Sequence, residues 1–458
     1  MNSDQLVQLL TDLLGPEKVS DAGPVLEDHS IDKWLVGHPP DVVVFAESTA
    51  DVAAVMKFAS ASGVAVTTRG AGAGYVGGAV PVKGGIVISV ARMNAIREIN
   101  TDDGVAIVEP GVITGDLQEA VRKRGWFYPP DPASLKECSL GGNVATNAGG
   151  PHCLKYGVTR HYILGLEVVL ADGSVARVGG RCHKDKTGFD LIGMFVGSEG
   201  LLGIVTEITC RLIPHPPARA MLSASFQSFA DAAAAVQAIL GAGFLPAALE
   251  ISDKFTLRAA REHVGSGLIP EGQSHLLVEI DGQADSVNSE IRAVGSLLNE
   301  LGCLTLDTAE DEAGCEAIWE IRRAFSYSLR ATGLTKLNED IVVPRGRLVE
   351  LVAFCERLQE QCGMPIACFG HAGDGNIHVN IMVDGIDDPA VRARSDEALD
   401  TLFRKVIDLG GRISGEHGIG IAKKRWFDGA IDSGALDLHR RLKAALDPGD
   451  ILNPGKFV

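Results

Sequence analysis

The stretch "RGAGAGYVGG", Arg69 to Gly78, matches GxGxxG at Gly72, Gly74 and Gly77. In a nicotinamide-binding fold that pattern opens directly into a helix, and an acidic residue ends the next strand about 20 residues on. Here the chain runs instead into "AVPVKGGIVISV", Ala79 to Val90, whose β-branched run reads as another strand. The nicotinamide reading therefore fails. Two readings of the loop stay open: a nest of backbone N–H groups facing one anion, suited to a pyrophosphate, or a plain glycine turn.

Outward from this loop, between Pro40 and Pro214, short Val/Ile-rich runs alternate with glycine clusters: "DVVVFA", "GVAVTTRG", "GGIVISV", "GVAIVEPG", "ILGLEVVLADGS", "LGIVTEITCRLI". Such runs read as strands. The helical pattern "TADVAAVMKFASASG" lies between the first two and gives a βαβ unit. "HPPARA", around Pro216 and Pro217, reads as a linker. Beyond it "MLSASFQS", an Ala-rich helix to Leu240, "AALEISD", "HLLVEIDG" and a helix ending near Leu301 read as βαββα, a ferredoxin-like pattern. The helices "GCEAIWEIRRAFSYSLRATG" and "RGRLVELVAFCERLQEQCG" then lead to a hairpin, the loop "GRISGEHGIG", a last helix and "DPGDILNPGKFV". Domains are expected at 1–215, 216–410 and 411–458.

A chain of 458 residues suits two or three domains. Its 46% apolar and 22% charged residues, with 54 glycines, fit a folded, loop-rich mixture of helix and strand. The formal charge, 42 − 59 = −17, argues against nucleic acid and against attraction to an anionic membrane. Nine cysteines form no CxxC pair, so no disulfide framework or iron-sulfur site is expected, and a reducing cytoplasm is the expected compartment. "MNSDQLVQLLTDLLG" reads as an amphipathic helix rather than a signal peptide, and no apolar run reaches the ~20 residues of a membrane span.

Two further glycine-rich stretches tip the first loop toward ligand binding. They are "PPDPASLKECSLGGNVATNAGG", Pro129 to Gly150, followed by "KYGVTR", and "GSEGLLGIVTE", Gly197 to Glu207. Glycine contributes no side chain to packing and costs backbone entropy, so close approach to a large flat ligand is its expected use here.

"CFGHAGDGNIHVNIMV", Cys368 to Val383, sets His371 and His378 around a Gly-Asp-Gly turn. If residues 376–383 form a strand, His378 and Asn380 share a face and the turn brings His371 beside them. Zinc or manganese takes such N and O ligands, and Glu416 in "SGEHGIG" is a third candidate. Two ordinary hydrogen-bonded histidines beside a hairpin are the alternative.

The series "RGAGAG", "PPDPAS", "GGNVATNAGG", "YG", "GSEGLLGIVTE", "GHAGDGNIHVN", "GEHGIG" and "NPGK" resembles the FAD-linked oxidases of the vanillyl-alcohol oxidase type over nearly the whole chain. Within them it resembles the D-lactate, glycolate and D-2-hydroxyglutarate dehydrogenases. The resemblance implies an α+β fold: a two-part FAD-binding domain of the vanillyl-alcohol oxidase (PCMH) type, completed by the C-terminal segment, with a ferredoxin-like α/β cap. It implies that Arg69, Gly70, Ala71, Gly72, Ala73, Gly74 and Gly77 hold the FAD pyrophosphate. Pro130, Asp131, Ser134, Gly141, Gly142, Asn143, Thr146, Asn147, Gly149, Gly150 and Tyr156 would lie along the flavin, with Glu199, Gly200, Gly203, Ile204, Val205 and Asn453 in its neighbourhood. Ala73 and Leu201 stand where such relatives carry Thr or Ser. With no histidine in the first loop to tether it, FAD is expected to be non-covalent.

The same resemblance implies that His371, His378 and Glu416 bind a divalent metal, Zn2+ or Mn2+, at the substrate. Oxidation of a 2-hydroxy acid also needs a base for the hydroxyl proton. His417 is the candidate, its alternative being a histidine that orients Glu416. Arg322 in "WEIRRAFS" shares a helix face with Trp319 and Ser326, and its planar fork suits a carboxylate. Arg323 reads as a surface residue. Lys336 assists or is solvated, and Asn380 hydrogen-bonds substrate. The expected activity is FAD- and metal-dependent dehydrogenation of a D-2-hydroxy acid, D-lactate favoured, with D-2-hydroxyglutarate and glycolate as rivals. An electron-transfer flavin subunit of a larger complex is the reading from another class. Electrons would pass to an acceptor such as electron-transfer flavoprotein or a quinone-linked carrier. The oligomeric state stays open, a homodimer being compatible with it.

Overall fold

The computed structural model describes residues 2–34, 36–265 and 267–458, which form two compact units. The first comprises Met1–Gly149, Gly157–His215 and Glu416–Val458; the second comprises Gly150–Tyr156 and Pro216–Gly415.

In the first unit, β1 (Val19–Ser20), β2 (Val42–Phe45), β3 (Val66–Arg69) and β4 (Ile86–Ser89) form a sheet of order β1-β2-β4-β3. β2 and β3 both run parallel to β4, and the helix Thr49–Ser62 makes the connection between β2 and β3. Ser48 caps that helix by accepting from Asp51 N, and Gly63 ends it in the left-handed region. Val42, Val44, Met56, Ile86 and Ile88 are fully buried in one core with Leu452 from the C-terminal segment. An antiparallel sheet of order β5-β6-β10-β8-β9 adds β5 (Ile96–Asn100), β6 (Val105–Val108), β8 (Ile163–Val169), β9 (Val175–Gly179) and β10 (Ile204–Arg211). β7 (Trp126–Phe127) and β11 (Ile213–Pro214) pair separately. The tail locks on through Lys443, buried, whose Nζ reaches Asp447 Oδ2 at 2.5 Å, Leu452 O at 2.7 Å and Leu201 O at 3.2 Å.

The second unit carries a seven-stranded antiparallel sheet of order β15-β12-β14-β13-β17-β18-β16. Its strands are β12 (Ala218–Phe226), β13 (Ala248–Ser252), β14 (Ser274–Gly282), β15 (Thr305–Ala309), β16 (Thr335–Val342), β17 (Ile366–His371) and β18 (Asn376–Val383). The first four lie in the fourth-first-third-second order of a ferredoxin-like module. β16, β17 and β18 repeat the first-second-third arrangement, and the Val342–Arg412 bridge stands in the fourth place. The two modules meet where β13 pairs with β17.

Alternation along these strands gives one apolar face and one that sets polar groups among apolar ones such as Met221, Leu277 and Phe369. Leu222, Leu249, Ile251, Leu276, Val278, Val379 and Ile381 line one face, an apolar core. Ser223, Glu250, His275, Glu279, His371, His378 and Asn380 line the other, with Lys336, Asn338 and Asp340 on β16. The helices Lys254–Val264 and Glu312–Ala331 pack on this second face, bringing Leu257 and Phe325 against Phe369.

The βαββα reading of residues 221–301 omits the helix Lys254–Val264, which Asp253 caps by accepting from Thr256 N. Its short apolar stripe is diluted by Arg258, Arg261 and Glu262. β16 also goes unread, because the face it presents is polar. No helix among the described residues is long and apolar enough to cross a membrane.

Candidate active site

The expected site residues are spread over both units. In the first unit the loop after β3 offers the backbone N–H groups of residues 71–76, which donate to no acceptor among the described residues. That donor set fits a pyrophosphate. The Arg69 side chain turns inward: its Nη1 donates to Ile31 O at 2.7 Å, and its guanidinium fills the space a Cβ on Gly72 would need, at 2.2 Å. Arg69 thus shapes the loop from beneath. Ala73 and Gly74 follow on the open side, and Asp32 lies beside Gly74 while accepting from Trp34 N.

Some of the other glycines answer to protein rather than ligand. A Cβ on Gly141 would lie 2.6 Å from Pro110 Cβ, and one on Gly203 would lie 2.5 Å from Val168 Cγ1. Gly142, beside it in the helix Leu140–Thr146, has only the Ser139 hydroxyl near. Asn143 is buried with its amide on Thr114 Oγ1 at 2.6 Å, and Thr146 returns its hydroxyl to Gly142 O. Asn147 takes a left-handed φ of 52° and accepts from Arg160 N. The Pro130 carbonyl accepts from Gln118, and the Ser134 carbonyl accepts from Glu137 N and Cys138 N, so the segment through Asp131 is a braced loop. Gly149 ends a segment of the first unit and Gly150 begins one of the second. Tyr156, in the second unit, donates to Asp281 Oδ2 at 2.6 Å. Ile204 is core, and Val205 is half-buried on the same strand.

The turn 416–420 is built into the first unit by groups from two distant stretches, around Val76 and at Glu199. Glu199, buried and at φ 50°, accepts from Ile419 N at 2.7 Å and Gly420 N at 2.8 Å. Burial pushes its carboxyl up to about 7, against the pull of those two N–H groups and of Lys456 and Lys423. Gly418 sits at φ 85° with its missing Cβ aimed at Glu199 Oε1, and a Cβ on Gly420 would strike Val76 O at 2.2 Å. Asn453 donates to Gly78 O and Glu199 O, tying the tail to the loop beside Gly77 and to the turn before Gly200. His417 stacks on Tyr75, ring centroids 5.1 Å apart. Glu199 and Asn453 therefore brace the frame with their side chains.

In the second unit, His371 ends β17 and His378 sits on β18, their rings 5.5 Å apart and nearly perpendicular. The turn between them depends on Gly375, at φ 88°, where a Cβ would meet Val343 O at 2.1 Å. Asn376 donates to Asp340 Oδ1 at 2.7 Å, and Asp340 Oδ2 accepts from Gly415 N at 2.9 Å and Ser414 Oγ at 3.2 Å. Asp340 so fixes the chain one residue before Glu416. His371, His378 and Glu416 each offer a ligand atom within 4.8 Å of the others, the one such group of three among the described residues. The N, N, O donor set fits a divalent zinc or manganese ion.

Arg322 donates through Nε to Glu250 Oε2 at 2.5 Å and lies over the Phe369 ring, 4.7 Å from its centroid. Glu250 Oε1 meets His371 Nδ1 at 2.5 Å. Burial alone would raise the Glu250 carboxyl, but the charges and hydrogen bonds of His371 and Arg322 outweigh it and hold it down to about 2. Lys336 donates to Ser326 Oγ at 3.0 Å; burial lowers its ammonium to about 8, with Arg330 and Arg322 adding to the shift. Asn380 donates to Ala367 O and His378 O, while its own Oδ1, and that of Asn338 directly across on β16, are buried without a donor. Arg323 pairs at the surface with Glu316 and Glu320. Sequence reading missed Glu250, Asp340 and Asn338; alternation from His378 would have exposed Asp340 and Asn338 only once β16 was known to be a strand.

The family of FAD linked oxidases, C-terminal domain, matches residues 215–457, and the FAD binding domain family matches residues 40–179. The chain belongs to the FAD-linked oxidases, with an FAD binding domain and the oxidase C-terminal domain. It is 37% identical over 455 residues to the glycolate oxidase subunit GlcD of Bacillus subtilis, covering 99% of this chain and 96% of that one. It is 32% identical over 453 residues to the D-lactate dehydrogenase of Anaerostipes hadrus, covering 97% and 95%. Among solved structures, p-cresol methylhydroxylase shares the fold with a TM-score of 0.82 at 19% identity, over 99% of this chain and 96% of that chain. The protein is an FAD-linked oxidoreductase.

Proposed function

We propose that the protein oxidises a D-2-hydroxy acid, with D-lactate favoured, to the 2-oxo acid. Support comes chiefly from one observation: two imidazoles stand together on one sheet face, and one of them shares a carboxylate, Glu250, with Arg322 of the helix Glu312–Ala331. The names of the glycolate and D-lactate relatives support the substrate class. His371, His378 and Glu416 would hold a divalent ion, which would supply Lewis acidity toward the substrate hydroxyl, and FAD would supply the hydride acceptor. The chain's residues do the rest. Arg322 presents its outer guanidinium edge to the substrate carboxylate, Lys336 adds charge, and the orphaned Asn380 oxygen accepts a substrate donor. His417, stacked on Tyr75 and so limited in rotation, takes the hydroxyl proton at a ring nitrogen.

The test is dye reduction by the purified protein with D-lactate, glycolate and D-2-hydroxyglutarate, each with and without EDTA. Turnover with at least one and its loss on chelation, FAD staying bound, is expected. Inertness toward every 2-hydroxy acid removes the substrate class, and full activity in metal-free protein removes the ion. Acid precipitation should release all the flavin, since residues 69–78 contain no histidine; flavin left in the pellet would show a covalent link.

Arg322→Lys keeps the charge but loses the fork that serves Glu250 and substrate together. KM should rise by a factor corresponding to about 1–3 kcal/mol. Arg323→Lys should change little, and equal effects at the two positions would mean that Arg322 does not hold the carboxylate.

A second reading, an electron-transfer subunit, is favoured by the word "subunit" in the name of the Bacillus subtilis relative. An isolated chain that holds FAD yet reduces no dye would support it. On either reading electrons pass to a separate acceptor, such as electron-transfer flavoprotein or a quinone-linked carrier.

A further inference from the structure

We propose that Glu250 is a positioning residue that sets two things at once: which nitrogen His371 offers to the metal, and which edge Arg322 offers to the substrate. The inference rests on the reading of His371 as a ligand and of Arg322 as the carboxylate anchor.

Glu250 is directly opposite His371 across the β13–β17 pair, so its place is fixed by sheet register and not by a loop. Its side chain is 1% exposed, and water does not compete for its oxygens. An ionised carboxylate only accepts hydrogen bonds. With Oε1 at 2.5 Å, the one proton that a neutral His371 ring keeps sits on Nδ1, so that it is through Nε2 that the neutral ring meets a metal. Oε2 takes Arg322 Nε, so the guanidinium can meet a second carboxylate only through its Nη edge. Phe369 beneath the guanidinium keeps the plane from tilting, and the same ring lies 5.5 Å from His378. No other residue can serve both partners from this place. Glutamine accepts through one oxygen and turns an NH2 donor against the other partner's N–H. Aspartate is a methylene too short to span both.

The test compares wild type and Glu250→Gln as FAD-loaded, chelator-stripped protein titrated with Zn2+ or Mn2+. The variant should keep its FAD and flavin spectrum, lose roughly 10–100-fold in metal affinity, and show a raised KM for the 2-hydroxy acid. A folded variant with wild-type metal affinity and wild-type KM overturns the proposal. Should the variant fail to hold FAD, the tautomer of His371 in metal-stripped wild type decides, read by NMR on 13C,15N-histidine-labelled protein and assigned by loss of the signal in His371→Ala. An Nδ1-protonated ring supports the assignment; an Nε2-protonated ring overturns it. A wild type that binds neither ion refutes the metal reading separately, and the tautomer still reports on Glu250.

Discussion

Replacing His417 by alanine is expected to lower kcat by roughly 10²–10⁴-fold, the usual worth of a positioned acid-base group, with metal and FAD content unchanged. The turn that carries His417 has anchors that do not depend on its ring. The turn is held by Glu199 through the N–H groups of Ile419 and Gly420 and by Val76 through Ile421 and Ala422, none of which involves the imidazole. The substitution removes the ring that stacks on Tyr75. If His417 instead serves to orient Glu416, the same substitution loosens metal binding and excess metal restores much of the rate. A metal titration of the variant, followed by dye reduction, separates the two outcomes. Recovery to near the wild-type rate would remove His417 from the role of base.

Glu416→Ala and His371→Ala should each bring turnover down to the level seen after chelation, because a three-ligand site that loses one protein ligand no longer competes with water for the ion. FAD content should be unchanged in both. The two variants differ in what they leave behind. Without the His371 ring, Glu250 keeps only Arg322 as a partner and has a buried oxygen without a donor, a loss on the order of 1–3 kcal/mol. His371→Ala should therefore also melt at a lower temperature than the wild type. Elemental analysis and a thermal melt check both halves. Metal retained at wild-type stoichiometry in either variant would mean that residue is no ligand.

What could be read from the sequence, and what could not, follows from how far each signal reaches along the chain. The Gly-Asp-Gly turn announces itself because Gly375 must adopt a conformation that side chains resist, and the flanking histidines then follow by strand alternation. The strands around the glycine loops were legible for the same local reason. Glu250 was hidden. In "AALEISD" it looks like one polar break in an apolar strand, and its partner His371 lies 121 residues away. Only the pairing of two ferredoxin-like modules edge to edge brings them together. Glu199 was assigned to the flavin's neighbourhood from its motif, yet its carboxylate is spent on a turn 220 residues downstream. Arg69 shows the reverse limit: an arginine in a phosphate-type loop suggests an outward charge, while its hydrogen bond to Ile31 O turns it inward.

The divided first unit has a consequence for how the chain is made. Its final segment, Glu416–Val458, leaves the ribosome only after Pro216–Gly415 has been synthesised, an interval of roughly 10–40 s at about 5–20 residues per second. During that time β3 is an open sheet edge, because its outer partner is the tail itself: Val66 N donates to Ile451 O and Asn453 N donates to Val66 O, both at 2.7 Å. Glu199 meanwhile lacks the two N–H groups it accepts, and Leu452 is missing from the core. The second unit, apart from Gly150–Tyr156, is one continuous segment and can close first. The nascent first unit therefore waits with an unpaired edge and a carboxylate without its two donors, a state prone to edge-to-edge association. A chain cut before Glu416 would stay in that state permanently.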